Sequence, residues 1–369
     1  MGKPIKASAI FKTIEEWAPP RLAYDWDNVG LQVGSYTKHV ERAMVTLDVL
    51  DSVVDEAINK KVDLIIAHHP LLFKPIRQIN VNDVKGKIIQ KLIKHDISVY
   101  AAHTNLDIAI DGVNDMLCKK LGIHSTKPLT DIQSDPLFKL AVFVPKTHSE
   151  EVRNALSKGG AGHIGHYSHC TFQTTGQGTF KPLEGTNPYI GTKDQLEFVH
   201  EVKIETIVKG HNLKNVIRLM VSAHPYEEVA YDIFPLENDS TRMGLGRIGK
   251  LTQPMTLESF SKHIKEKLEL SHVRVVGDIT DDIETVAVLG GSGEKYISTA
   301  KSAGADVYIT GDTTFHIAQD AMEMGLNIID AGHYIEKVMK EEVKQVLKQQ
   351  FDDIEVIISE TNTNPYKLI

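Results

Sequence analysis

Apolar residues recur along this chain with two periods that take turns. Residues 6–18 place Ile10, Phe11, Ile14 and Trp17 on one helical face, and Pro19-Pro20 closes the run. After the loop AYDWDNVGLQVG, broken by Gly30 and Gly34, short apolar runs alternate with helical-period stretches. AMVTLDV (43–49) predicts a strand, and DSVVDEAINK (51–60) a helix begun by Asp51 or Ser52. VDLIIAHHP predicts a strand, 83–95 a helix, ISVYAAHTNLD a strand and 111–121 a helix. This alternation predicts βαβ units and a mostly parallel sheet.

The texture changes near residue 130. FKLAVFVP predicts a strand, and THSEEVRNALSKGG a helix that ends in glycines. A loop-rich stretch, GHIGHYSHCTFQTTGQGTFKPLEGTNPYIG, separates them from the strand-like LEFVHEVKIETIVK, a helix leading to HPYEE, and the strand YDIFPL. The order suggests a small β-α-β-β-α-β, ferredoxin-like unit. A helix near 256–268 follows, and then the first texture returns. TVAVLGGSG, DVYITGD and NIIDAGH predict strands, while 294–303, 313–324 and 333–349 predict helices. The expected fold is therefore α/β: a mostly parallel-sheet domain built from both chain ends, 1–128 and 244–369, with an α+β domain inserted at 129–243.

Composition narrows the function classes. The net charge of -8 gives no global basic field, so nucleic acid is an unlikely partner on this reading. Two cysteines, Cys118 and Cys170, argue against a disulfide framework or a four-thiolate zinc site. No apolar run approaches the roughly 20 residues that a membrane span needs, and the N-terminal stretch has no apolar signal core. A reduced, cytoplasmic protein without a membrane partner is the expectation.

Four predicted strands end alike, in IIAHHP, YAAHTNLD, VYITGD and IIDAGH. Carboxyl ends of parallel strands share one edge, where open α/β sheets bind ligands. His68, His69, His103, Asp107, Asp312 and His333 are thus expected to converge, and a three-residue step puts Glu336 on the helical face of His333. Three histidines and two carboxylates suit divalent transition metals. Adjacent strand residues point opposite ways, so His68 and His69 suit two nearby ions better than one. The plainer readings stay open beside these. Asp312 can be the N-cap of the next helix, Asp107 a loop cap, and His333 with Glu336 an ordinary first turn. His103 can be a ligand, a group orienting a ligand, or a surface residue; orienting or lining is the reading taken.

These residues carry a resemblance. HHP, HTNLD and GHYIEK, with WDNVG early and TGD late, closely resemble the NIF-three-like family, whose members are often named GTP cyclohydrolase 1 type 2 homologues. The resemblance covers most of residues 1–125 and 245–369, with the motifs in the family's order. It implies a two-metal centre, with zinc first and manganese or iron as alternatives, in a ring-shaped homohexamer. Transferred by motif, the metal residues are His68, His69, Asp107, His333 and Glu336. The insert resembles the PII- and CutA-like domain of the family's longer members, which sits over the ring opening.

Two functions follow. The first is a metal-dependent hydrolase of a phosphoester, nucleotide or cyclic amide, using metal-activated water, with Asp312 or His103 relaying protons. No residue points to purine-ring opening. The second is a non-catalytic ring that stores metal or senses a small molecule through the insert. Four further features are weighed. Gly290, Gly291, Ser292 and Gly293 can hold an anion or form a tight turn. His163, His166 and His169 beside Cys170 can trap a metal or line a loop. HPYEE (224–228) is taken as a turn or subunit contact. Trp26, Asp27 and Asn28 can line the site mouth, or Trp26 can be core packing.

Overall fold

The computed structural model describes residues 5–130, 133–134, 136–238, 242–367 and 369. The chain forms two compact units, residues 1–133 with 243–369, and residues 134–242.

In the first unit, helix α1 (Ala7–Trp17) buries Ala7, Ile10, Phe11 and Ile14 on the face that the periodicity marks, and the prolines end it. Then follow β1 (Gly30–Val33), β2 (Arg42–Thr46), α2 (Asp51–Asn59), β3 (Leu64–Ala67), α3 (Val84–Lys94), β4 (Ser98–Ala101), α4 (Thr104–Ile108), α5 (Val113–Leu121) and β5 (Ile123–Pro128). In the second unit come β6 (Leu137–Pro145), α6 (Ser149–Lys158), β7 (Thr171–Phe180), β8 (Glu197–Lys209), α7 (Gly210–Ala223) and β9 (Tyr231–Leu236). The first unit resumes with β10 (Arg247–Thr256), α8 (Leu257–Lys267), β11 (Arg274–Val276), β12 (Asp282–Ser292), α9 (Ile297–Ser302), β13 (Val307–Gly311), α10 (Phe315–Glu323) and β14 (Asn327–Asp330). A 3₁₀ turn (His333–Val338), α11 (Met339–Gln350) and β15 (Glu355–Ile358) complete it.

Instead of one mostly parallel sheet, this unit holds two large sheets, beside a short antiparallel pairing of Ile5–Lys6 with His39–Val40. One, β15-β2-β3-β4-β1, is parallel except at β1. The other, β11-β14-β13-β12-β10-β5, is parallel only through β12, β13 and β14. Each βαβαβ run makes three parallel strands, and the antiparallel neighbours come from chain that alternation alone does not flag. The run LIIA is apolar throughout because its sheet is covered on both faces. Leu64 and Ile66 join the core shared with the second sheet, while Ile65 and Ala67 pack under α2 and α3.

The two runs share a hydrogen-bond register. Asp63 accepts from the backbone N–H of Glu41 and Arg42 at 2.9 and 3.0 Å; Asp306 accepts from Glu284 and Thr285 at 3.0 and 2.7 Å. Ala102 N–H bonds Ala67 at 2.9 Å, and Ala331 N–H bonds Thr310 at 2.8 Å. Counted equally from those alanines, Asp107 and Glu336 occupy matching positions.

The second unit has sheet order β7-β8-β6-β9, antiparallel at every pairing, with α6 and α7 between strands in ferredoxin-like order. Strand β7 falls in the stretch that reads as loop. Its TFQTTGQGTF has few apolar side chains and is largely exposed, so it leaves no alternation to detect. No helix among the described residues is long and apolar enough to cross a membrane.

Candidate metal centre

Strand ends and short turns place every group of the centre. His68 and His69 follow β3, His103 and Asp107 follow β4, Asp312 follows β13, and His333 with Glu336 follow β14. The carboxyl ends of two different sheets therefore meet here. Three overlapping sets can each hold an ion: His68, His69 and His103; His69, His333 and Glu336; His68, Asp107 and Glu336. Within a set the donor atoms lie within 4.8 Å of one another.

Each imidazole is anchored from outside through Nδ1. His68 donates to the Ala102 carbonyl at 2.8 Å, and His69 to Asp48 at 2.7 Å. His103 bonds Asp27 at 2.9 Å, and His333 bonds Asp312 at 2.6 Å. Such outer partners set the tautomer and leave Nε2 to face the centre. There His69 Nε2 lies 3.0 Å and His333 Nε2 3.3 Å from the Glu336 carboxylate, with His68 Nε2 at 3.8 Å.

Electrostatics reflect this crowding. Burial works against charge on His69, but the Asp48 and Glu336 carboxylates outweigh it and push the imidazole up to about 10. Glu336, with Asp312 and against burial, raises His333 to about 9. Burial would lift the Glu336 carboxyl, yet the surrounding imidazoles hold it well below the usual range. Burial raises Asp107, His68 pulls it down, and the nearby Glu336 adds to the rise.

The residues present fit a metal. His68 Nε2 and Asp107 Oδ1 are buried without hydrogen-bond partners, although they lie 3.5 Å apart. With Nδ1–H spent on Ala102, His68 Nε2 offers a lone pair to carboxylate lone pairs, an arrangement that a cation between them would satisfy. His69 and His333 answer the same need with protons, which an ion would displace.

Several alternatives resolve. Asp312 is not the cap of α10, whose N-cap is Thr314; it sits at φ 56° and holds His333. Asp107 lies buried in α4 rather than capping a loop. His333 and Glu336 stand on a 3₁₀ turn, not the α-helix expected from residue 333, and residues three apart eclipse there. His103 is held by Asp27, whose other oxygen accepts from Thr104 N–H at 3.1 Å and Thr104 Oγ1 at 2.5 Å. In the glycine turn, Gly290 N–H bonds Asn114 and Gly293 N–H bonds Thr310, so these donors are taken. The turn serves the centre differently. The β12–β13 register shifts between Val288 and Ser292, and a Cβ on Gly291 would stand 2.5 Å from Glu336 Oε1. None of His163, His166, His169 and Cys170 belongs to a metal-holding set among the described residues.

Sequence reasoning missed Asp48, the Ala102 carbonyl and Thr363, which hydrogen-bonds Asp48 from the C-terminal segment. Asp48 had a readable signal: it follows an apolar strand, as Asp312 does. The other two had none, since a carbonyl and a distant threonine carry no local pattern.

Fold and centre together define an α/β protein with a partly buried histidine cluster, gathered around two buried carboxylates, that could hold metal. The Duf34/NIF3 (NGG1p interacting factor 3) family model matches residues 5–365, and the chain belongs to that family. A Bacillus subtilis relative named "GTP cyclohydrolase 1 type 2 homolog" is 50% identical over 373 residues, spanning all of both chains. A Bacillus cereus protein related to NIF3 has a solved structure at TM-score 0.89 and 48% identity, covering both chains fully. A Staphylococcus aureus structure matches at TM-score 0.82 and 36% identity over 99% of each chain.

Proposed function

We propose that the centre holds two divalent ions and hydrolyses a small phosphoester, nucleotide or cyclic amide. The observation that carries this is the shared anchoring of four imidazoles through Nδ1, with the Nε2 atoms of three of them, His68, His69 and His333, turned to the buried carboxylates of Asp107 and Glu336. His69, His333 and Glu336 form one pole, His68 and Asp107 the other, with Glu336 reaching both. Zinc suits this nitrogen-rich set best, with manganese or iron as alternatives. When bound, such a pair would acidify a water and polarise a substrate oxygen. His103, with Nδ1 held by Asp27, is placed to take and return a proton at Nε2. Asp312 keeps the His333 ring turned inward and is an orienting group.

The relatives' printed name offers a nucleotide as a first substrate to try. The test pairs metal analysis with a turnover screen on phosphoesters, nucleotides and cyclic amides. About two ions per chain and a turnover lost in Asp107→Ala support the reading. Bound metal with no turnover in the parent shifts it to a non-catalytic metal store or a sensor working through the insert. Assembly is proposed as a ring of six, for which light scattering should give six times the 41.0 kDa chain mass.

A further inference from the structure

We infer that Trp26 and Phe73 form a subsite for a flat aromatic ring beside the metal centre, and that the ligand acted on there is an aromatic or heteroaromatic compound whose polar substituent reaches the inward imidazoles. This rests on the hydrolase reading for what happens to the ligand, though not for its binding.

Trp26 is 58% exposed and Phe73 42% exposed, while His68, Asp107 and Glu336 of the centre are buried. Apolar rings opening onto a few convergent polar groups are the usual make-up of a small-molecule site. The Trp26 ring is backed by Tyr24, 5.6 Å away and inclined by 11°, so one face is covered and its plane is set. Phe73 stands 5.7 Å from Trp26 at 60°, and His103 lies 6.2 Å from Trp26 and 6.3 Å from Phe73, each at 73°. From His103 the rings of His68 and His69 are 5.3 and 5.5 Å away. Trp26, Phe73 and His103 thus form one ring cluster, with the exposed Trp26 and Phe73 on its outer side and His103 next to His68 and His69.

The rings are also held in place. Asn28 donates to the Leu72 carbonyl at 2.7 Å, and Leu72 N–H donates to Gln32 at 3.1 Å, tying the Trp26 loop to the Phe73 loop. Behind them, the Tyr24 hydroxyl meets that of Tyr296 at 3.2 Å, across from the other βαβαβ run. Rings fixed before binding lose little freedom when a ligand stacks on them. A stacked ring gains about ten- to a hundredfold in affinity or somewhat more.

The chain has two tryptophans, Trp17 and Trp26, so Trp17→Phe leaves Trp26 as the sole indole reporter. Trp17 donates to the Ile110 carbonyl, and if Trp17→Phe fails to fold, the parent-minus-Trp26→Phe difference reads the same signal. Metal-loaded full-length protein would be titrated with adenosine and nicotinamide as flat rings and with ribose as a control. Saturable quenching of Trp26 by the rings and none by ribose is expected, with affinity falling at least tenfold in Phe73→Ala at unchanged metal content. Absence of saturable quenching at millimolar ring, or equal quenching by ribose, overturns the subsite. Trp26 emission that is shielded and released on dilution overturns it too, because the rings then cover a contact between copies. The two readings fail separately. Quenching without turnover keeps the subsite and removes the hydrolase. Turnover with an unchanged KM in Trp26→Ala does the reverse.

Discussion

Asp107 and Glu336 stand at matching positions of the two βαβαβ runs, yet they keep different company. Glu336 lies 3.8, 3.0 and 3.3 Å from His68, His69 and His333, whereas the histidine facing Asp107 is His68 at 3.5 Å. After β3 the first run carries His68 and His69; counted from Asp63 and Asp306, the second run carries Gly311 and Asp312 there. A Cβ on Gly311 would come within 2.6 Å of the Gly332 and His333 backbone. The first run brings three rings, His68, His69 and His103, and the second brings one, His333, with Gly311 and Gly291 leaving room for that run's own His333 backbone and Glu336 carboxylate. A repeated frame builds a shared, asymmetric site when its two copies carry different side chains at matching positions.

Five substitutions would break or sharpen that contrast. Glu336→Ala should have the largest effect, a loss of more than about a hundredfold in metal retention, because three imidazoles lose one acceptor. Asp107→Ala should lose distinctly less, read as ions kept per chain after dialysis against a chelator; equal losses would make the two carboxylates equivalent. Next is Gly291→Ala. Its φ of 69° and the 2.5 Å approach to Glu336 should cost about 1–3 kcal/mol and displace the carboxylate, checked by denaturant unfolding and metal content. Full metal binding in that variant would show that the bulge is not needed for room. Third, Asp48→Asn should weaken metal about 10–100-fold and Asp312→Asn by less, since Asp48 is itself held by Thr363 while Asp312 is exposed. Competition with a chelating dye would rank them.

The smallest effect concerns Glu56 on α2, which clamps the segment after β15 to the first run. Its carboxylate accepts from Lys60, Ser359, Thr361 and the Glu360 N–H. Burial works to raise it, but these donors hold it down at about 2. A depressed carboxylate stabilises above its unfolded value and loses that contribution as pH falls through the window toward 2. Glu56→Gln should therefore cost about 1–2 kcal/mol at pH 7, with the gap shrinking below about pH 4.5. A gap that grows on acidification would refute the clamp.

The residues of the centre were legible because they terminate apolar strands, where a buried polar side chain has few structural uses. HHP, HTNLD and GHYIE each sit at such an end. Two sheets rather than one were not legible, since an apolar run records that both its faces are covered and not by what. Strand β7 was hidden by its polar, glycine-containing sequence, and its pairing to β8 is a long-range backbone contact. Asp27 was visible as a neighbour of the site, but its bond to His103 joins residues 76 apart in the chain.

Strands β5 and β10 lie side by side, and their ends stay in register where the second unit departs and returns. Leu129 N–H bonds Gly246 and Thr130 N–H bonds Leu245, after which Gln133–Ser134 pairs with Arg242–Met243. Seen from the first unit, residues 134–242 are the loop of one hairpin. A loop closed at its base costs its host only slowly more as it lengthens. The arrangement makes the inserted unit a cassette: it can be exchanged, shortened to a turn or decorated in the course of evolution while the strands that carry the imidazoles keep their register.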